Sequence, residues 1–347
     1  MSVKSVTLLF AATALVALSV AAHADGLTIT SWGGAYQKSQ QEAYFKPYAA
    51  KTGIKITEEE YNGEIAKIRA MVQSGNTTWD AVDIDAATAQ QGCDEGILQK
   101  IDYSKFGGKE AFTKGSTFEC ALPTIIYSTV FAYDGDKIKD GPKTWADFFD
   151  LKKFPGKRGL QKVAFGNLEF ALMADGVAPD QVYATLKTKE GVDRAFKKLD
   201  TIKKDVVWWE AGAQPPQLLA SGEVAMTTAW NGRIFNANKA DHKHFQIVWD
   251  GQLQDWDLWG IPKGVKSTDA SYAFLKFASS PQAQAEQTKF ISYGPALLAA
   301  TPFVDKEILK DLPTAPDNSK TALANDPVFW GDNKDELQKR FTSWLSQ

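Results

Sequence analysis

Residues 27–60, LTITSWGGAYQKSQQEAYFKPYAAKTGIKITEEE, decide the fold of this chain. Alternating apolar residues over 27–32 predict a β-strand, and the longer mixed run over 35–51 predicts a helix that Gly53 ends. A second strand is predicted over 54–59. A strand, a helix and a second strand in this order are typical of an α/β protein.

The same alternation continues with a helix predicted over 64–73 and a buried strand over 81–85. This βαβαβ order implies a parallel sheet that helices cover on both faces. An apolar, β-rich run over 123–133 follows, and the turn at 134–136 marks the expected crossing into a second lobe.

The second lobe has its own helix and strand signals. Thr144 and Asp147 form a predicted helix start, and a loop is predicted over 154–159. Further helices are predicted over 168–174, 179–186 and 191–204, and strands over 206–210, 224–229 and 245–249. The chain is then predicted to return to the first lobe over 257–262 and to form helices over 270–278 and 281–290.

These elements divide the chain into lobe 1, residues 25–133 with 257–347, and lobe 2, residues 134–256. The C-terminal helices are expected to pack on both lobes. Two lobes joined by strands rather than by a flexible linker suggest hinge closure around a ligand.

Residues 1–24 are typical of a cleaved secretory signal. Lys4 precedes an apolar run over 6–21, and Ala22-His23-Ala24 fits the small-residue cleavage rule, which makes Asp25 the expected first mature residue. An uncleaved membrane anchor is the alternative, but the run is short for a membrane span. No cysteine lies near the cut to carry a lipid. We therefore expect an exported protein in the periplasm.

Composition and cysteine content narrow the class of protein. A formal net charge of −3 and 44% hydrophobic residues fit a globular chain and do not favour nucleic-acid binding. The two cysteines, Cys93 and Cys120, are expected to form a disulfide that closes a loop of roughly 28 residues. A metal pair is the rival interpretation, but two thiols with no nearby histidine make a poor site.

Catalytic signatures are sparse. Beyond the expected signal the chain has two histidines, His242 and His244, in a polar stretch typical of a solvated turn. Neither nucleophile elbows, zinc-protease motifs nor phosphate loops occur, so we expect no enzyme activity, cofactor or metal. A carboxylate-pair glycosidase stays possible by motif, because such pairs have no fixed spacing.

Candidate ligand-binding residues follow two predicted strands. Trp32 and Tyr36 flank two glycines that would allow close approach of the backbone to a ligand, or alternatively form a tight turn beside the core. Trp230 and Arg233 follow the strand over 224–229. An arginine there can present its planar fork to a carboxylate, although a solvent-facing arginine is the common alternative.

Two further stretches offer candidates. Asp255 and Asp257 alternate on one face of a strand among tryptophans, an environment that suits an ammonium group, and Asp257 is favoured because it is nearer the crossing. Surface carboxylates are the alternative. Trp209 and Gln214, at the end of the strand over 206–210, are candidates for the cleft lining, although core packing explains the tryptophan equally well.

Several stretches in order along the chain resemble a known family. They include Thr30-Ser31-Trp32-Gly33-Gly34, Phe154-Pro155-Gly156-Lys157-Arg158, Ala229-Trp230-Asn231-Gly232 and Trp259-Gly260-Ile261-Pro262. In this respect the chain is similar to the periplasmic spermidine/putrescine-binding family of ABC importers. The resemblance implies the type II periplasmic binding protein fold, with two α/β lobes joined by a strand hinge around the ligand. It also implies a monomer that delivers its ligand to membrane permease and ATPase subunits.

By the same resemblance, Trp32 corresponds to an aromatic wall, Trp230 to a stacking residue and Asp257 to the carboxylate that holds an amine. The segment 163–168 lacks the distal carboxylates of diamine binders and leaves only Glu169 nearby. Arg233 adds a positive charge that a diamine receptor would avoid. The chain therefore looks similar to the γ-aminobutyrate-binding branch, with Asp257 for the amine and Arg233 for the carboxylate.

Alternatives stay open at this point. Putrescine or spermidine becomes the favoured ligand if Arg233 pairs with Glu169 or Asp257 instead of with a ligand. An exported carboxylate-pair hydrolase and a chemoreceptor partner are more distant alternatives.

Overall fold

The computed structural model describes residues 26–347, so the predicted signal over 1–24 and the predicted mature start at Asp25 lie outside the described residues. The strands are β1 (Leu27–Ser31), β2 (Ile56–Glu60), β3 (Ala81–Asp85), β4 (Ala121–Asp134), β5 (Arg158–Gln161), β6 (Val206–Trp209), β7 (Met226–Trp230), β8 (Phe245–Gly260), β9 (Gly294–Pro295) and β10 (Leu323–Ala324). The helices are α1 (Gly34–Gln40), α2 (Lys46–Thr52), α3 (Ile65–Gln73), α4 (Ala86–Asp94), α5 (Trp145–Phe149), α6 (Asn167–Ala174), α7 (Val182–Leu186), α8 (Lys189–Asp200), α9 (Gln214–Ser221), α10 (Asn231–Ala240), α11 (Thr268–Ala278), α12 (Pro281–Thr288), α13 (Lys306–Leu309) and α14 (Pro327–Leu345).

All of these strands belong to one mixed sheet with the order β2-β1-β3-β8-β4-β7-β5-β6, with β10 beside β8 and β9 beside β4. β1 pairs in parallel with β2 and β3, as the βαβαβ prediction requires. At the other end of the sheet, β5 pairs in parallel with β6 and β7. Between the two parallel groups, β4 and β8 run antiparallel to each other and to their outer neighbours.

The long central strands differ from the sequence-based prediction. The predicted strand over 245–249 is too short, because β8 runs without a break from Phe245 to Gly260 and includes the first residues of the predicted crossing over 257–262. Gly251, at φ +59°, and the irregular pairing between Thr129 and Phe131 interrupt the apolar alternation in the middle of this strand pair. A local bend was therefore mistaken for the end of a strand.

Three other boundaries also shift. The predicted helix over 35–51 consists of α1, a π-helical turn (Gln41–Phe45) and α2. The predicted loop over 154–159 ends early, because Arg158 opens β5. α8 ends at Asp200, and only a 3₁₀ turn occupies Lys203–Asp205.

Separate cores lie under the two ends of the sheet. The first includes Ile29, Trp259 and Phe274, and the second includes Phe148 and Leu199. α14 packs its apolar residues into the second core and also lies against α4 of the first group. This last helix therefore touches both halves of the molecule.

A disulfide joins Cys93 at the end of α4 to Cys120 at the start of β4, with a Cα–Cα distance of 5.4 Å. This confirms the predicted pairing. None of the helices in residues 26–347 combines the length and the apolar character that crossing a membrane requires.

Candidate functional site

The turn after β1 supplies the first wall of the site. Gly33 and Gly34 have φ values of +61° and +55°, a conformation that side chains other than glycine rarely adopt. A Cβ atom on Gly34 would lie 2.8 Å from Nη1 of Arg233. The glycines do permit a close approach to the backbone, but the group that approaches in this structure is a protein guanidinium.

A small cavity of about 20 Å³ lies where the two halves of the sheet meet. Its lining consists of Trp32, Tyr36, Tyr127, Trp230, Asp257 and Tyr293. The rings of Trp32 and Trp230 meet edge to face with their centroids 5.8 Å apart. An aromatic box with one carboxyl group is suited to an alkylammonium group, because ring faces attract cations and the carboxylate pairs with the charge.

Asp257 is 6% exposed and lies on β8, directly opposite Asp85 on β3. Because side chains alternate along strands, Asp83 and Asp255 lie on the same face as this pair. Burial raises the pKa of Asp257 well above its ordinary value, and Asp83 raises it further. The carboxyl face of β3 and β8 therefore attracts positive charge.

Asp83 is fully buried behind the aromatic wall. Its Oδ1 accepts a hydrogen bond from Trp32 Nε1 at 3.1 Å, and its Oδ2 accepts bonds from the Tyr36 hydroxyl at 2.8 Å and Gln40 Nε2 at 2.5 Å. This carboxyl group thus fixes two of the rings that line the cavity.

Arg233, at the start of α10, is 3% exposed. It reaches across to the turn after β1, where Nη1 donates to the Gly33 carbonyl at 2.9 Å and Nη2 to the Trp32 carbonyl at 3.2 Å. Its Nε has no hydrogen-bond partner, and no carboxylate oxygen of residues 26–347 lies within 4.0 Å of its nitrogens. Burial lowers the pKa of Arg233, whereas Tyr293, Tyr36 and Asp257 raise it.

Glu169, the other carboxylate that could have paired with Arg233, binds different groups. Its Oε1 accepts hydrogen bonds from Trp330 Nε1 at 2.7 Å and from the Tyr183 hydroxyl at 3.1 Å. Neither Glu169 nor Asp257 therefore neutralises Arg233, so the condition that would favour a polyamine is not met.

Three predicted site residues lie outside the cavity lining: Arg233, which the carbonyls of Gly33 and Trp32 hold, Trp209 and Gln214. Trp209 is 1% exposed, donates from Nε1 to Thr228 Oγ1 at 3.3 Å and packs against the edge of Trp230, so it supports that ring from behind. Gln214 Oε1 accepts hydrogen bonds from the backbone N–H groups of Glu210 and Ala211, at 2.7 and 2.8 Å, and so holds the loop before α9.

Sequence reasoning missed Tyr127, Tyr293 and Asp83. Tyr127 lies inside the buried run of β4, and Tyr293 precedes the two-residue strand β9, so neither follows a recognisable strand end. The segment Ala81–Asp85 did carry a signal, since two carboxylates alternate within an otherwise apolar buried strand.

A second cavity of about 280 Å³ adjoins the first and shares Trp32, Tyr127 and Trp230 with it. Asp85, Asp255 and Lys334 bring charges to its lining. Lys334 Nζ lies 3.6 Å from Asp85 Oδ2, so α14 closes this cavity from the side of the second core.

Two α/β groups, bridged by long central strands with an aromatic cavity at their junction, define a solute-binding protein that holds a small ligand between two lobes. The chain belongs to the family of bacterial extracellular solute-binding proteins, whose model matches residues 43–316. Proteins of this class bind small ligands and work with transporter components. This membership and the solved relatives confirm the predicted fold class.

The chain is 44% identical to the gamma-aminobutyric acid-binding protein of Pseudomonas aeruginosa, over 95% of this chain and 94% of that protein. It is 25% identical to the putrescine-binding periplasmic protein PotF of Escherichia coli, over 85% of each chain. The solved Atu4243-GABA receptor superimposes with a TM-score of 0.82 at 34% identity, covering 92% of this chain and 97% of that one. These similarities confirm the predicted resemblance to polyamine-type binding proteins close to the γ-aminobutyrate-binding branch.

Proposed function

We propose that this chain is the periplasmic solute-binding protein of an ABC importer and that it binds a small zwitterion such as γ-aminobutyrate. The observation that carries the proposal is a buried acid and a buried base at one aromatic cavity, neither of which forms an ion pair within residues 26–347: Asp257 lines the cavity, and the guanidinium of Arg233 lies 5.5 Å from the ring centroid of Trp230 in its wall. A ligand with an ammonium group and a carboxylate would neutralise both charges. The ligands printed in the names of two relatives support the same choice.

In this proposal Asp257 takes the ammonium group, Arg233 takes the carboxylate through its remaining N–H groups, and Trp32 and Trp230 cover the methylenes. A cavity of about 20 Å³ holds roughly one water molecule. A four-carbon ligand therefore needs the rings or the lobes further apart on entry, which fits binding by hinge closure. We place the hinge in β4 and β8, between lobe 1 (residues 25–133 with 257–347) and lobe 2 (residues 134–256).

Putrescine is the second candidate, because four aspartates share one face of β3 and β8. The buried guanidinium of Arg233 argues against a second ammonium group at that end, since like charges in a buried site repel strongly. The proposed importer role also predicts a monomer that docks on permease and ATPase subunits, which light scattering of the mature protein and reconstitution with those subunits would test.

Calorimetric titration of refolded, ligand-free mature protein tests the proposal. We expect heat on adding γ-aminobutyrate, none with putrescine, and loss of roughly 2–5 kcal/mol of binding free energy in Asp257→Asn. The exposed carboxylate Asp180 provides a matched control, because Asp180→Asn should bind as the wild type does. Tight putrescine binding without γ-aminobutyrate binding would overturn the proposal.

A further inference from the structure

Asp83 has one unused acceptor position and is a diagonal neighbour of Asp257 on the same face of β3 and β8. A carboxylate offers about four lone-pair positions, and Trp32, Tyr36 and Gln40 occupy three of those on Asp83. Asp257 is a neighbouring buried carboxyl group, because Tyr36, which donates to Asp83, also lines the cavity with Asp257. Since a carboxylate cannot donate, a hydrogen bond between two aspartates requires that one of them carries a proton.

The surroundings favour a single proton on this pair. Both carboxyl groups are buried, and two neighbouring buried carboxylates resist double ionisation. Burial raises the pKa of Asp83 to about 7, and it raises the pKa of Asp257 well above its ordinary value. The titratable or charged groups around the pair come from several elements: Tyr36, Tyr44, Tyr61, Asp85, Tyr127, Arg233, Asp255 and Tyr293, with Lys334 beside Asp85.

None of these neighbours brings a positive charge into contact with the pair, so a cation from the ligand can replace the proton. The tyrosines stay neutral, because burial and the nearby aspartates hold the pKa of Tyr36, Tyr61 and Tyr127 well above the ordinary value. Lys334 is 3.6 Å from Asp85, and Arg233 points to the carbonyls of Gly33 and Trp32. Neither protein cation contacts the Asp83–Asp257 pair.

Resting on the function proposed above, we propose that Asp83 is a positioning residue that shares one proton with Asp257 and that the ligand's ammonium group replaces this proton. Binding then releases one proton to solvent, while the ammonium group stays charged because alkylammonium groups ionise near pH 10. The carboxyl pair changes from singly protonated to fully ionised, so its charge falls by one as the ligand brings one positive charge.

The affinity for the ligand is expected to rise with pH. A proton released on binding makes affinity rise with pH wherever the ligand-free pair holds that proton. Because burial raises the pKa of Asp83 to about 7 and also raises that of Asp257, affinity for γ-aminobutyrate should increase up to about tenfold per pH unit between roughly pH 6 and pH 8. At higher pH, where the pair is already ionised, the dependence should flatten.

Titration calorimetry with γ-aminobutyrate in buffers of different ionisation enthalpy counts the protons. We expect about one proton released per ligand at pH 7 for the wild type. Asp83→Asn should release close to none and lose the pH dependence, because its amide donates a permanent hydrogen bond to Asp257. Asp255→Asn is the matched control: Asp255 is a buried aspartate on the same face whose pKa is also raised to about 7, and its loss should leave the release above half a proton.

Heat of binding with no proton release in the wild type, or unchanged release in Asp83→Asn, would contradict the inference while leaving the proposed function intact. Absence of any γ-aminobutyrate heat would instead count against the proposed function. The pair itself is then tested without ligand by infrared spectroscopy. A protonated-carboxyl band should be present at pH 7 in the wild type and weaker in Asp83→Asn, and equal bands would overturn the shared proton.

Discussion

Two arginines in this molecule, Arg158 and Arg233, are buried but differ in how many of their N–H groups the protein accepts. Arg158 is fully buried at the start of β5 and donates four hydrogen bonds to carbonyls of its own lobe, those of Phe148, Asp150, Phe154 and Gly156. Arg233 is 3% exposed but donates only two, both across the cleft, and leaves Nε without a partner.

An arginine has five N–H donors, so Arg158 is almost satisfied by the protein and Arg233 is not. Burial alone therefore does not separate a structural arginine from the one that we propose binds the ligand. Two other features separate them: the number of N–H groups without a partner and the direction in which the guanidinium points. Buried N–H groups without a partner cost free energy until an acceptor binds them. Substitutions test this difference between the two arginines.

The largest effect is expected at Arg233. Arg233→Gln should weaken γ-aminobutyrate binding by roughly 2–5 kcal/mol, about 30-fold to several-thousand-fold in Kd, because the ligand carboxylate loses its charged partner. Calorimetry measures the change. Arg194→Gln, which removes an arginine from an exposed ion pair with Asp175, should leave the Kd within about twofold.

Arg158 should show the reverse pattern. Arg158→Met leaves several buried carbonyls without donors, so we expect the free energy of unfolding to fall by about 3 kcal/mol. Urea denaturation gives this value, and calorimetry on the folded fraction should show γ-aminobutyrate affinity within about twofold of the wild type. An affinity loss as large as that of Arg233→Gln would remove the distinction between the two arginines.

A smaller effect is expected where the backbone makes room for Arg233. Gly34→Ala would bring a Cβ to 2.8 Å from the guanidinium and should weaken ligand binding about tenfold. Gly53→Ala is the control, because Gly53 also has a positive φ, +75°, but nothing lies within 4 Å of the added Cβ. It should cost about 1 kcal/mol of stability without changing affinity. Equal affinity losses in both variants would point to backbone strain rather than to the guanidinium.

The smallest effect is expected at Gln214. Its side chain accepts two backbone N–H groups before α9 and lies outside the cavity lining. Gln214→Ala should therefore lower stability by about 1 kcal/mol and change the Kd for γ-aminobutyrate by less than about threefold. Thermal denaturation and calorimetry together test this, and a tenfold loss of affinity would place Gln214 at the ligand after all.

The sequence predicted the parts of the cavity lining that follow strand ends. Trp32 and Trp230 stand directly at the carboxyl ends of β1 and β7, and Asp257 alternates with Asp255 among tryptophans, so local patterns were sufficient. The parallel pairing of β1, β2 and β3 was predictable for the same reason.

Long-range pairing was not accessible from the sequence. Tyr127 and Tyr293 reach the cavity only because β4 pairs with β8 and β9, and Asp83 meets Asp257 only through the pairing of β3 with β8. The bend at Gly251 concealed the full length of β8. Local propensity describes segments, whereas these contacts depend on which segments become neighbours.

A two-by-two calorimetric comparison tests whether Arg233 recognises the ligand carboxylate, as we propose. The Kd values of γ-aminobutyrate and of 4-aminobutanamide, which keeps the ammonium group but has an uncharged amide in place of the carboxylate, would be measured on the wild type and on Arg233→Gln. We predict that the wild type prefers γ-aminobutyrate by about 100-fold and that this preference falls below about threefold in the variant. An equal preference in both proteins would contradict the claim, even if the variant bound both ligands more weakly.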